Sequence, residues 1–284
     1  MASPQTKQIL PSVIDIAYEQ YKRDLPLHRQ TRELMSKNVV TTSPETSLET
    51  AARLMGEKHI GSLIVLKYKT PVGIITERDL LSKAIAYGLF LNDQKVEGVM
   101  SYPLTGIPST SKIKEAAQLM TRKKSRLAVF DAGTLVGVIT ASDLIKSLPD
   151  VPETEAQIEK FMTKKVVSAD EETSVLNVAK TMGQERIGSV IITRKGEPFG
   201  IFTERDLLTN FLAKGKDLFP EVGPSCSSPL VVVSTDISVH RAAAIMALKH
   251  IRRLPVAQEG SWSASLPHAI WLKRTQNSFS LFLF

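Results

Sequence analysis

One helical pattern occurs four times in this chain of 284 residues. Leu48, Ala51, Ala52 and Met55 form the first set, and Ile113, Ala116, Ala117 and Met120 the second. Val175, Val178, Ala179 and Met182 form the third, and Val239, Ala242, Ala243 and Met246 the fourth. Each set has the i, i+3, i+4, i+7 spacing of an amphipathic helix, with small alanines that let a neighbouring element come close. Ser47, Ser174 and Ser238 stand where N-caps belong. A short β-like segment and a Ser/Thr/Pro-rich turn precede each helix, as in Val39-Val40-Thr41-Thr42-Ser43-Pro44. Two β-rich runs follow in the first three copies, at 63–66 and 72–75, 127–130 and 135–139, and 190–193 and 199–202. A second helix is predicted over 78–87, 142–148 and 205–214. The unit therefore reads β-α-β-β-α, an α/β fold built from tandem repeats that start near Met35, Met100, Met162 and Cys226.

The repeats alternate in kind. Gly61-Ser62 and Thr76-Glu77-Arg78-Asp79 return as Gly188-Ser189 and Thr203-Glu204-Arg205-Asp206, 127 residues later and without a gap. Of the 21 positions from Gly61 on, 12 are identical, and the polar run survives while the strand residues around it drift. The second and fourth repeats share an arginine before a strand, at Arg126 and Arg253. A duplicated two-repeat unit follows, with its seam at 149–152. The expected organisation is a lead-in at 1–32 with a docking or clasp helix near 12–23, a first pair at 33–149 (repeats 33–90 and 97–149), and a second pair at 153–260 (repeats 159–215 and 222–260). The fourth repeat breaks off at Gly260, before its second β run, and gives way to a tail at 261–284 that holds both tryptophans. A frameshifted or otherwise replaced C-terminus is the expectation.

No apolar run reaches the roughly 20 residues that span a bilayer, so no membrane partner is expected. Met1 to Gln8 lacks a signal-peptide layout. Cys226 is the single cysteine, which rules out an internal disulfide and a cysteine metal cluster and favours a cytoplasmic protein. The net charge of +7 raises the odds of an anionic partner, nucleic acid included, but the basic residues are scattered as on an ordinary soluble surface. The five histidines show no metal spacing, and there is no Gly-x-Gly-x-x-Gly or Walker loop. No enzyme activity and no obligatory cofactor are expected.

In combination, these motifs over about 33–260 resemble cystathionine-beta-synthase (CBS) domains. The resemblance implies that repeats pair through their sheets into Bateman modules. Each module leaves two clefts, which in this family commonly take adenine nucleotides or S-adenosylmethionine. It also implies that two modules join into a disk, here within one chain, or that the chain forms a homodimer. With no effector domain present, the output is expected to go to a protein partner in trans or to self-association.

Thr-x-x-Asp entering a helix is equally a capping box, with threonine at the N-cap and the acid at N3. Capping alone explains Thr76 and Asp79, Thr140 and Asp143, and Thr203 and Asp206. The ligand reading adds that such an acid can accept both hydroxyls of a ribose. Arg78 and Arg205 stand beside two of the acids, and arginine can grip phosphate through two hydrogen bonds. The resemblance assigns phosphate contacts to Arg126 and Arg253, and ligand-facing hydroxyls on the first strand to Thr41 and Ser168. The second repeat has Gly106 at that hydroxyl position and no arginine beside Asp143; the fourth has Val232 and no acid. Unequal clefts follow, with the first pair expected to be the better preserved. The runner-up functions are a nucleic-acid-binding, transcription-linked protein and a scaffold with vestigial sites.

Overall fold

The stripes become helices because serine side chains start them and the apolar face is buried. In the computed structural model, the Leu48–Glu57 helix buries Leu48, Ala51, Ala52 and Met55. Ser47 Oγ accepts the Thr50 amide at 3.2 Å. The same capping bond starts the Val175–Gln184 helix from Ser174 at 3.3 Å and the Val239–Leu248 helix from Ser238 at 3.2 Å. The structure describes residues 29–123, 126–147, 157–160, 162, 166–249, 251, 253–257 and 268–270. The expected lead-in helix near 12–23 and the seam at 149–152 lie outside them.

Each repeat holds a three-stranded sheet. In the first, β1 (Thr41–Thr42) runs parallel to β2 (Ser62–Lys67), and β3 (Thr70–Thr76) is antiparallel to β2. The second contains β4 (Gly106–Pro108), β5 (Leu127–Asp131) and β6 (Thr134–Ile139) in the same arrangement. The third contains β7 (Ser168–Asp170), β8 (Ser189–Arg194) and β9 (Glu197–Thr203). The second helices are shorter than the pattern predicts. Glu77–Lys83 and Glu204–Asn210 end in 3-10 turns at Ile85–Tyr87 and Leu212–Lys214, and the third such helix spans Ala141–Ser147.

The fourth repeat corrects one expectation. β10 (Val233–Ser234) and β11 (Leu254–Ala257) are joined by β12, His268–Ile270, which pairs antiparallel with β11. The tail thus supplies a third strand, three residues long where its counterparts have six or seven. Ile270 pairs with Leu254 as Ile75 pairs with Leu63, but the next residues in sequence are Trp271-Leu272-Lys273-Arg274. Trp271 and Arg274 thus stand where the register of Ile75 and Ile270 would place the threonine and the acid. Residues 261–267 and 271–284 lie outside the described part, and so does the question of their origin.

Repeats meet in two ways. Sheet faces pack within the first pair, where Ile64 and Ile74 meet Ala128, with Val39, Leu66, Phe130 and Val138 around them. The segments entering each repeat cross to the partner: Ser36 bridges to Val138, Ser101 to Ile74 and Ser227 to Ile201. Three glycines make this crossing possible. A Cβ on Gly73, Gly137 or Gly200 would stand 2.9–3.0 Å from the crossing carbonyl of Ser101, Ser36 or Ser227.

Helices provide the second contact. One continuous core joins the first repeat to the third: Leu48, Met55, Leu80 and Leu81 pack with Val178, Met182, Leu207 and Phe211. The interface repeats itself with the 127-residue shift. Gly56 lies on Ala213, and Gly183 lies on Ala86, where an added Cβ would come 2.5 Å from the alanine's own. Such reciprocity is the mark of an isologous, two-fold contact, here inside a single chain. The second repeat meets the fourth through the Ala141–Ser147 and Val239–Leu248 helices. Helices therefore join the first repeat to the third and the second to the fourth.

Candidate functional site

Three of the four repeats place a Thr–Asp pair at the junction of strand and helix. Thr76 donates to Asp79 Oδ2 from its amide at 2.9 Å and its hydroxyl at 2.6 Å, and the Asp79 amide donates back to Thr76 Oγ1 at 3.2 Å. Thr203 and Asp206 repeat these bonds at 2.8, 2.7 and 3.2 Å. Thr140 donates to Asp143 at 2.8 and 2.7 Å. Capping therefore uses one carboxylate oxygen of each acid. Only the other oxygen is open to further chemistry.

That second oxygen differs between the duplicated copies. Asp79 Oδ1 receives Lys83 Nζ at 2.7 Å and Ser101 Oγ at 3.3 Å, and the residue is 6 % exposed. Asp206 Oδ1 takes no hydrogen bond or ion pair from any described residue. It faces a cleft of about 700 Å³ lined by Asn210, Lys214, Lys216, Ser225 and Cys226 among others. Burial pushes the Asp206 carboxyl up, against the hydrogen bonds from Thr203 and the charges of Arg253 and Arg205. Burial likewise pushes the Cys226 thiol up, so that wall of the cleft is an uncharged thiol.

The arginines converge elsewhere. Arg78 does not turn to Asp79. Its Nε donates to Glu204 Oε1 at 2.8 Å, across the interface between repeats one and three. Arg205 Nε stands 2.7 Å from Glu77 Oε1, the same contact after the 127-residue shift, though off the axis of a hydrogen bond. Arg253, from the fourth repeat, reaches Glu204 Oε2 with Nη2 at 3.3 Å. Arg126, from the second, donates to the Gly61 carbonyl. Four arginines from four repeats thus gather around two glutamates, Glu77 buried and Glu204 partly buried. Burial by itself would push the Glu204 carboxyl up, but the guanidiniums of Arg253, Arg78 and Arg126 together outweigh it and hold the group below the ordinary carboxylate range.

The glycines of the Gly-Ser pairs make room for this clasp. A Cβ on Gly61 would come 2.8 Å from the Glu77 carboxylate, and one on Gly188 would collide with the Arg253 guanidinium. The carbonyls of Gly61 and Gly188 also accept the amides of Glu77 and Glu204 at 3.2 and 3.0 Å. Much of the duplicated text is therefore interface. Thr and Asp cap the helix, Glu and Arg bind the opposite repeat, and Gly clears the space between.

The hydroxyl positions lie in cross-strand rows. Thr41 is level with Ile64 and Ile74, and Ser168 with Ile191 and Ile201, so both hydroxyls point to the sheet face that meets the partner repeat. Gly106 takes that place beside Ala128 and Val138, with the Phe130 ring 2.8 Å from where its Cβ would stand. Sequence reasoning passed over Glu77, Glu204, Lys83 and Asn210. The first two were signalled by their identity across the duplication. The last two were signalled by their difference, at positions 83 and 210. No group of three or more His, Cys, Asp or Glu able to hold a metal occurs among the described residues. None of the described helices is long and apolar enough to cross a membrane.

Three-stranded units in tandem, joined by crossed linkers, define an α/β repeat protein. The CBS domain family model matches residues 32–85, 96–150 and 158–213, and the chain belongs to that family. It is 27 % identical over 254 residues to the uncharacterized protein MJ1404 of Methanocaldococcus jannaschii, covering 82 % of this chain and 59 % of that protein. It is 35 % identical over 134 residues to the uncharacterized protein MK0525 of Methanopyrus kandleri, covering 45 % of this chain and 68 % of that protein. Its fold matches the crystal structure of MJ1225 from M. jannaschii, proposed as an archaeal homolog of g-AMPK. The TM-score is 0.70 at 18 % identity, over 89 % of this chain and 99 % of that one.

Proposed function

We propose that the protein senses an adenosine-type ligand, AMP, ADP, ATP or S-adenosylmethionine, and passes the signal to a protein partner in trans. The observation that carries this reading is Asp206, a partly buried carboxylate with one oxygen uncommitted and facing a cleft of about 700 Å³. A ribose diol offers two hydroxyl donors to such an oxygen. Arg205 and Arg253 act on Asp206 electrostatically, and we assign the ligand's anionic portion to these two guanidiniums. Both are engaged with Glu77 and Glu204. A phosphate must therefore compete with the two glutamates for the arginines, and in doing so it loosens the clasp between repeats one and three. That competition gives the ligand different affinities for the clasped and loosened arrangements, which a switch requires. The g-AMPK relationship proposed for MJ1225 accords with this reading.

Calorimetric titration of the four ligands into wild type and Asp206→Ala is the test. Binding to wild type that the variant loses supports the reading; no binding of any of the four sinks it. Binding of nucleic acid alone, with a steep salt dependence, would favour the runner-up that the net charge of +7 motivates.

A further inference from the structure

The two copies of Thr-Glu-Arg-Asp are identical, yet their acids stand in different surroundings four residues further on. Position 83 is lysine in the first repeat, and its counterpart 127 residues later is Asn210. Lys83 Nζ bridges two acceptors, Asp79 Oδ1 at 2.7 Å and the Val99 carbonyl at 2.6 Å. The matching carbonyl in the third repeat belongs to Ser225. The amides of Val96 and Val222 donate to the equivalent Thr46 and Thr173 carbonyls, both at 2.9 Å, and Ser101 and Ser227 make equivalent bridges to Ile74 and Ile201. Asn210 and Ser225 both line the open cleft beside Asp206. The space that Lys83 spans in the first repeat is thus the space left open in the third.

We infer that Lys83 is a built-in occupant of the first acid's site, so that of the duplicated pair only the Asp206 copy accepts a diol-bearing ligand. The inference rests on the proposed ligand reading and reverses the expectation that the first pair is better preserved. A ligand hydroxyl approaching Asp79 meets an oxygen that already holds an ammonium and a serine hydroxyl, on a side chain 8 % exposed. Displacing the lysine would strip both Asp79 and the Val99 carbonyl of a charged donor, and charge-assisted hydrogen bonds are about twice as strong as neutral ones. At Asp206 no such donor has to leave. Asparagine at 210 is neutral and shorter, and of the cationic residues lining the cleft Lys214 ends the 3-10 turn and Lys216 lies beyond it. The bland alternative is that Lys83–Asp79 is an ordinary i,i+4 helix pair with no bearing on binding.

Reciprocal exchange separates these. ATP and S-adenosylmethionine serve as calorimetric probes against wild type, Lys83→Asn and Asn210→Lys, with melting curves to show that each variant is folded. The inference predicts that Asn210→Lys weakens binding at least tenfold and removes one site per chain. Lys83→Asn adds one site per chain. If wild type binds a probe and neither exchange alters affinity or stoichiometry, the inference is overturned while the ligand reading stands. If wild type and Lys83→Asn both bind neither probe, the ligand reading itself fails. Should Lys83→Asn not fold, the Asn210→Lys titration decides alone.

Discussion

Replacing Glu204 with glutamine tests the clasp most sharply, because it removes one charge and keeps the shape. Glu204 Oε1 holds Arg78 and Oε2 holds Arg253, with the carboxylate side chain 11 % exposed. Arg253 is 15 % exposed and Arg78 is 55 % exposed. Arg78 can rehydrate, so its share of the loss is that of a surface pair, at most about 1 kcal/mol. Arg253 cannot, and breaking a buried pair by removing one partner costs about 3–5 kcal/mol. Glutamine keeps an acceptor oxygen and recovers part of this, so the expected loss is about 3 kcal/mol at pH 7. At about 2–4 °C per kcal/mol, the melting temperature should fall by roughly 8 °C.

The pH dependence gives the second check. The folded-state pKa of Glu204 is depressed, so its contribution is fully present above the unfolded value near ~4.3 and fades as pH falls through the lower folded value. Melting curves of wild type and Glu204→Gln from pH 8 to pH 3 should therefore show a gap that is constant down to about pH 5 and narrows below it. A variant within about 0.5 kcal/mol of wild type at pH 7, the range of a neutral surface change, would refute the clasp. A gap that does not narrow in acid would refute the electrostatic origin.

Three further outcomes follow. Gly188→Ala should reproduce much of the Glu204→Gln loss, about 2 kcal/mol, because its Cβ drives Arg253 off Glu204; the double variant should lose less than the sum, as a chemical denaturation cycle would show. Met182→Ala, at a side chain 0 % exposed in the core shared by repeats one and three, should lose about 3 kcal/mol in the same assay. Ligand binding should weaken in acid, because a diol needs Asp206 ionised and burial has raised its pKa. Titrations between pH 7 and pH 4.5 should show this in wild type, and Asp206→Asn should remove it together with binding.

Much of this was legible in the chain. Helix stripes and serine caps are local, and the Thr–Asp caps close over three residues, so sequence spacing reports them directly. The reciprocal clasp was not, because Arg78 and Glu204 are 126 residues apart and nothing local to either names the other. The 127-residue identity held the clue, since a two-fold interface requires each copy to match the other. The third strand of the fourth repeat was missed because ten residues separate β11 from β12, where a short turn joins the other pairs. The inequality of the two acids rested on one lysine-for-asparagine difference, which periodicity ignores.

The central claim is that a ligand's phosphates and the two glutamates compete for the same arginines. Calorimetric titration of ATP and of adenosine into wild type and Glu204→Gln, at a temperature where both are folded, tests it directly. Freeing Arg253 should tighten ATP about tenfold, equivalent to ~1.4 kcal/mol, and leave adenosine unchanged. Equal or weaker ATP binding in the variant, or a matching gain for adenosine, would contradict the claim.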